Sequence, residues 1–228
     1  MFTPPSDLRL HRTQDGSFTL HSAALDEPYH SLHGALQESR HVFLQQGFHA
    51  LEQPSVDLLE IGLGTGLNVL LTWIEADAGR VEVRYTALEP YPLPQGTLAE
   101  LAHARSVGAP ERADGLLRMM TAPVGEWTGG SDHFTLRRLD RSATELEGNG
   151  SYDLIYFDAF GPATQPELWT LPVFERMYRA LRPGGILVTY CAKGDVRRAM
   201  QAAGLHVERL PGPPGKREMM RARRPIAT

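Results

Sequence analysis

The chain has 228 residues, with 27 Asp and Glu against 23 Lys and Arg, a formal net charge of −4 and a single cysteine. That length suits one α/β domain with a full core, because folded chains of this size bury roughly 70% of their extended surface. One cysteine excludes an intramolecular disulfide framework, the lack of any run near ~20 apolar residues excludes a membrane span, and the acidic balance excludes a generic nucleic-acid coat protein. Residues 1–7 carry neither the basic start nor the apolar run of a secretory signal, so the expected compartment is the cytoplasm.

In chain order, residues 8–22 read as a hairpin: Leu8 and Leu10 alternate with polar residues, Asp15-Gly16 supplies the turn, and Phe18 and Leu20 alternate on the return. Residues 29–46 read as a weakly amphipathic helix through Leu32, Leu36, Val42 and Phe43. These segments form an N-terminal extension over 1–55. From residue 56 the pattern switches to strands alternating with helices, the signature of a parallel sheet covered on both faces. Strands are expected at 56–61, 81–89, 133–139, 152–158 and 186–191, and helices at 67–76, 95–107, 167–181 and 195–203. A turn at Arg182-Pro183-Gly184-Gly185 precedes the fifth strand. A terminal strand pair at 206–210 and 217–223 completes a domain over 56–228. Between Lys193 and Arg224 nine Lys and Arg stand against three Asp and Glu, a basic stretch on an acidic chain.

The first strand runs directly into Gly62, Gly64 and Gly66, and the next helix begins at Leu67. Glycines at such a junction permit a sharp turn and close backbone approach to a ligand. A dinucleotide fingerprint requires its third glycine at position 67, which is Leu67, so a nicotinamide oxidoreductase is disfavoured. The spacing GxGxG behind the acid Glu60 resembles motif I of the S-adenosylmethionine-dependent methyltransferases. Glu89, ending the next strand, is placed to accept hydrogen bonds from both ribose hydroxyls of such a cofactor. In a doubly wound sheet the first and fourth strands are neighbours, which brings Asp158 beside the glycine loop.

The run Asp158-Ala159-Phe160-Gly161-Pro162 through Thr170 resembles the signature loop of the bacterial tRNA 5-methylaminomethyl-2-thiouridine methyltransferases. So do Glu38 to Leu44, Glu60 to Asn68, Glu89 to Leu93, Gly194 to Arg198 and Gly215 to Met219. The resemblance implies a doubly wound, mostly parallel seven-stranded class I methyltransferase (Rossmann-like) sheet with an antiparallel terminal strand. It implies S-adenosyl-L-methionine as cofactor, held by Glu60, Gly62, Gly64, Thr65, Gly66, Asn68, Glu89, Asp140 and Asp158. The implied acceptor is the aminomethyl nitrogen on a wobble uridine in the tRNA anticodon loop. Leu139-Asp140 departs from the family's Gly-Asp, which leaves the adenine side in doubt. With no second GxGxxG before Thr228, a standalone form without the flavin-dependent oxidase is expected.

Asp158, Tyr29 and Phe160 are the expected catalytic residues, the two aromatics stacking or walling the uracil. An alkylamine is mostly protonated at neutral pH, and a carboxylate of ordinary acidity is too weak a base to strip it, so the expected role of Asp158 is positioning. Arg197, Arg198, Lys216 and Arg217 are implied to track tRNA phosphates. His30 and His33 lack the acid partners of a zinc site, and no metal is expected. Cys191 reads as a small buried hydrophobe. Two readings of other kinds stay open: a methyltransferase or aminopropyltransferase acting on a small-molecule amine, and a noncatalytic RNA-binding module on the same fold.

Overall fold

The structure, a computed structural model, describes residues 6–226. Residues 1–5, on which most of the leader expectation falls, lie outside the described residues. The N-terminal part comprises β1 (Leu8–Arg12), β2 (Phe18–Ser22), β3 (Glu27–Pro28) and α1 (Ala35–Ser39), the last continuing as a π-helical turn over Arg40–Gln45. Then follow β4 (Ser55–Ile61), α2 (Leu67–Gly79), β5 (Glu82–Leu88), α3 (Gln95–Glu100), α4 (His103–Ser106), α5 (Ala113–Met120), β6 (Thr128–Ser131) and β7 (Phe134–Leu139). The chain continues through β8 (Tyr152–Phe157), α6 (Leu171–Ala180), β9 (Leu181–Thr189), α7 (Gly194–Ala202), β10 (His206–Pro211) and β11 (Glu218–Arg223).

The large sheet has the order β10-β11-β9-β8-β4-β5-β7-β6, and β1-β2-β3 form a separate antiparallel sheet. β4 pairs in parallel with β5 on one side and β8 on the other, β5 pairs in parallel with β7, and β8 with β9. The succession therefore reverses direction at β4, and a crevice opens beyond the carboxyl ends of β4 and β8. Side chains alternate across the sheet as a two-residue period demands. Leu58, Tyr85, Leu154, Tyr156 and Val188 face α2 and the π-turn residue Phe43, while Leu59, Ile61, Ile155, Phe157 and Leu187 face α6 and α7. Covered on both sides, the central strands are apolar almost throughout.

Several elements differ from expectation. The sheet has eight strands: β6, Thr128-Gly129-Gly130-Ser131, adds an antiparallel edge against β7. Its small residues carry no alternation to read. The helix expected over 95–107 breaks at Ala102, in the left-handed region at φ +50°, and the break lets Leu101, His103 and Ala104 all face inward. The segment 182–185, expected as a turn, is drawn into β9 with a register irregularity against β8. α5 adds a helix that buries Leu116, Met119 and Met120. No described helix is long and apolar enough to cross a membrane.

Candidate active site

Four strand ends, those of β8, β4, β5 and β7, are laced together at the crevice by three bonds. Asp158 N–H donates to Ile61 O at 3.0 Å, Gly62 N–H to Leu88 O at 3.0 Å, and Glu89 N–H to Leu139 O at 3.0 Å. β4 turns at once through Gly62 (φ +88°) into the loop that precedes α2. No side chain fits there, since a Cβ on Gly62 would lie 2.6 Å from the backbone O of Asp158. The Gly64 N–H donates to Glu89 Oε2 at 3.1 Å and the Tyr91 N–H to Glu89 Oε1 at 2.8 Å, fixing that carboxylate at the mouth of the loop. Burial pushes the Glu89 carboxyl up, and these two bonds with Arg138 draw it back.

Asp158 meets a second acid through an amide. Asn68, in the first turn of α2, donates from Nδ2 to Asp158 Oδ2 and to Glu60 Oε1, each at 2.9 Å. Glu60 is only 1% exposed, and burial lifts its carboxyl to about 8. Burial, with Glu60 next, likewise holds Asp158 well above the usual carboxylate range; the Asn68 bond and Lys216 oppose that shift. The premise that Asp158 is an acid of ordinary strength is therefore corrected: its surroundings make it a stronger base.

The loop after Asp158 is pinned from three sides. Tyr190 OH donates to Ala159 O at 2.8 Å and Trp169 Nε1 to Phe160 O at 2.8 Å. Glu27, from β3, accepts from Gly161 N–H at 3.0 Å and from the Thr164 hydroxyl. Beside it Tyr29 meets Phe160 edge to face, ring centres 5.0 Å apart and planes at 72°. That geometry makes a wall and leaves no parallel slot for a base between the two rings. Lys216 also lines the cavity, its Nζ 2.5 Å from Glu38 Oε1 and 4.0 Å from the centre of the Tyr190 ring.

One cavity thus gathers Asp158, Tyr29, Phe160, Gly62, Gly64, Glu89 and Lys216 of the expected residues. Glu60 and Asn68 stand behind its wall and do not line it. Thr65 is buried and faces a second cavity with His103, and Gly66 packs against Met120. Asp140 sits outside, paired with Arg138 at 3.5 Å, while Arg141, Ser142 and Ala143 supply that wall. Among the described residues Arg197 and Arg217 form no ion pair, and Arg198 pairs with Asp195. Lys216 therefore lies apart from these arginines, inside the pocket. His30 bonds Thr19 and His33 bonds Gln14, so the two imidazoles serve different neighbours. Cys191 is buried, and burial pushes its thiol up.

Glu27, Arg141 and Tyr190 line the cavity without having been singled out from sequence, and Glu38, which opens one of the family-like runs, lines it without having been given a role. Tyr190 lies just past the carboxyl end of β9, next to the crevice strands, a position that could have marked it. Glu27 carries no such signal, because its partners lie more than 130 residues away.

Residues 132–225 match the family model described as S-adenosyl-L-methionine-dependent methyltransferase. The chain is 35% identical, over 96% of its length, to the "tRNA 5-methylaminomethyl-2-thiouridine biosynthesis bifunctional protein MnmC" of Aromatoleum aromaticum, covering 36% of that protein. It is 33% identical, over 87% of its length, to the protein of the same name from Ralstonia nicotianae, covering 32% of it. The chain thus spans about a third of the length of the curated relatives it matches. Among solved structures, MNMC2 from Aquifex aeolicus superposes with a TM-score of 0.75 at 24% identity, over 100% of this chain and 73% of that one. Spermidine synthase from Thermotoga maritima superposes at 0.56 with 14% identity over the same shares, a likeness of fold.

Proposed function

We propose, from the match of residues 132–225 to the S-adenosyl-L-methionine-dependent methyltransferase model and the chain's similarity to the tRNA 5-methylaminomethyl-2-thiouridine biosynthesis proteins, that it methylates the aminomethyl nitrogen of a wobble uridine. The relatives' name contains the product group, whose terminal methyl sits on nitrogen. The observation that carries the reading is the convergence of Asp158, Glu89 and the glycine loop on one acid-lined cavity beside an aromatic wall. The division into an extension over 1–55 and a domain over 56–228 belongs to the same proposal, with the extension supplying Glu27, Tyr29 and Glu38.

The residues present fit S-adenosylmethionine. Glu89 carries both oxygens at the end of β5, where a ribose diol can bond them, and Gly62 and Gly64 offer bare backbone, a Cβ meeting the Asp158 carbonyl oxygen at 2.6 Å on the first and the Tyr29 ring at 3.2 Å on the second. Leu88, Pro90, Ala143 and Leu168 form an apolar wall for a flat base. The cofactor, when bound, supplies a methyl group on a sulfonium sulfur. Asp158 accepts a hydrogen bond from the acceptor amine and aims its lone pair, and alignment supplies much of the acceleration. Its raised basicity lets the deprotonated carboxylate also take the proton that nitrogen must lose, so transfer grows as pH rises through the titration of Asp158. Tyr29 and Phe160 wall the uracil. Arg197, Arg198 and Arg217 meet the RNA backbone, and a tRNA acceptor implies work in the cytoplasm.

The deciding assay is transfer of a labelled methyl group from S-adenosylmethionine to tRNA taken from a strain lacking the modification. Asp158→Asn should abolish transfer and keep calorimetric cofactor affinity within about threefold of wild type. Equal loss of both would move Asp158 into the cofactor contacts. Labelling of a small amine with none in tRNA would overturn the acceptor.

A further inference from the structure

We infer that Glu60 and Asn68 act as positioning residues that grip Asp158 from behind the cavity wall and set its charge, and are not contacts for the cofactor. The inference rests on the reading of Asp158 given above. Three observations carry it. Neither Glu60, on β4, nor Asn68, on α2, lines the cavity, although Gly62 and Gly64, in the loop between them, do. The Asn68 amide nitrogen bridges the two carboxylates at 2.9 Å on each side, so the orientation of Asp158 is tied to that of Glu60. Glu60 and Asn68 are only 1% and 4% exposed, and the Tyr85 hydroxyl on β5 lies against the Glu60 carboxylate from within the core, so both side chains are enclosed by protein.

Two carboxylates joined by one amide donor cannot both ionise freely in a buried setting, and they titrate as a pair. A proton held on Glu60 favours charge on Asp158; its loss disfavours it. Other groups also face the pair. Glu38 from α1 and Lys216 from the β10–β11 connection act on Asp158 with opposite signs, and Glu89 from the end of β5 acts on Glu60. The hydroxyl of Tyr85 on β5 bears first on Glu60, as a hydrogen-bond partner, and more weakly on Asp158; that of Tyr190 beyond β9 feels Asp158, and that of Tyr156 on β8 feels Glu60. All of these remain in a Glu60→Gln variant, so a change in Asp158 would report the one lost carboxylate.

The test follows the carboxyl carbon of Asp158 by NMR in the 13C-labelled full chain, assigned by its loss in Asp158→Asn. In wild type the signal should move in two steps as pH rises. In Glu60→Gln one step should remain, about one pH unit or more below the upper wild-type step. Asn68→Ala, which removes the donor, should move the signal the other way, and it carries the test should Glu60→Gln fail to fold. Affinity for S-adenosylmethionine should stay within about threefold in both variants, with the rising limb of the transfer rate displaced along with Asp158. An Asp158 titration unaltered by either variant would overturn the inference, as would an affinity loss of about tenfold or more in both. Because the titration needs neither cofactor nor acceptor, it succeeds or fails independently of whether tRNA proves to be the substrate.

Discussion

Replacing Gly62 with Ala tests the tightest contact of the crevice. Gly62 lies at φ +88°, and its Cβ would approach the Asp158 carbonyl oxygen to 2.6 Å, against 3.4 Å for ordinary contact, so one backbone must yield by about 0.8 Å. The left-handed conformation alone costs a residue with a Cβ about 1–3 kcal/mol, and relieving such an overlap costs about as much again. A combined loss of about 2–6 kcal/mol corresponds, for a chain of this size, to a melting temperature lower by about 4–24 °C. The displaced atom belongs to the residue that aims the acceptor, and an error near 1 Å at a reacting group costs about 100-fold in rate. Calorimetric melting and labelled-methyl transfer under saturating cofactor would read both effects. A variant melting within about 2 °C of wild type and transferring within about threefold would refute the reasoning, for it would mean the loop and Asp158 shift without consequence.

Gly96→Ala supplies the opposite sign: inside α3 nothing lies within 4 Å of the new Cβ, so the variant should gain about 0.5–1 kcal/mol from helix propensity, read by denaturant melts. Glu27→Ala should release the loop after Asp158, costing about 1–3 kcal/mol of stability by leaving Gly161 N–H and the Thr164 hydroxyl without their acceptor, together with a fall in kcat; unchanged kinetics would show that the loop holds itself. His103 is buried, both ring nitrogens lack partners among the described residues, and burial lowers its pKa to about 3. A depressed imidazole binds its proton less readily folded than unfolded, so stability is retained above the unfolded value near 6.5 and lost as pH falls toward 3. His103→Leu should therefore gain on wild type by about 1–2 kcal/mol between pH 7 and pH 5; a constant difference across that range would count against the burial argument.

The glycine loop was legible because GxGxG directly after an apolar strand has few other uses, and doubly wound topology then brought Asp158 and Glu89 to it. α5 was missed although Leu116, Met119 and Met120 follow a helical spacing, because Asp114 and Gly115 interrupt the pattern. β6 was missed because Gly129 and Gly130 carry no side chain to alternate. Glu27, and the role of Glu38 within its family-like run, escaped for a different reason. Their work is done against Gly161, Thr164 and Lys216, across 134 residues and more, and no local pattern encodes such a distance. Lys216 shows the limit of reading charge along the chain: it belongs to a basic stretch, yet Glu38 and Tyr190 draw it inward, away from Arg217, its immediate neighbour.

The contact between Glu38 and Lys216 also bears on biosynthesis. Glu38 is translated early and its partner Lys216 late, so a nascent chain that has not reached residue 216 lacks that contact across the cavity lining. Until then Glu38 waits without its cation, and the edge of β9 that β11 will cover is open to other strands. Closure of the site is thereby coupled to translation of β11, residues 218–223, and until that strand has emerged the edge of β9 is the place most exposed to mispairing.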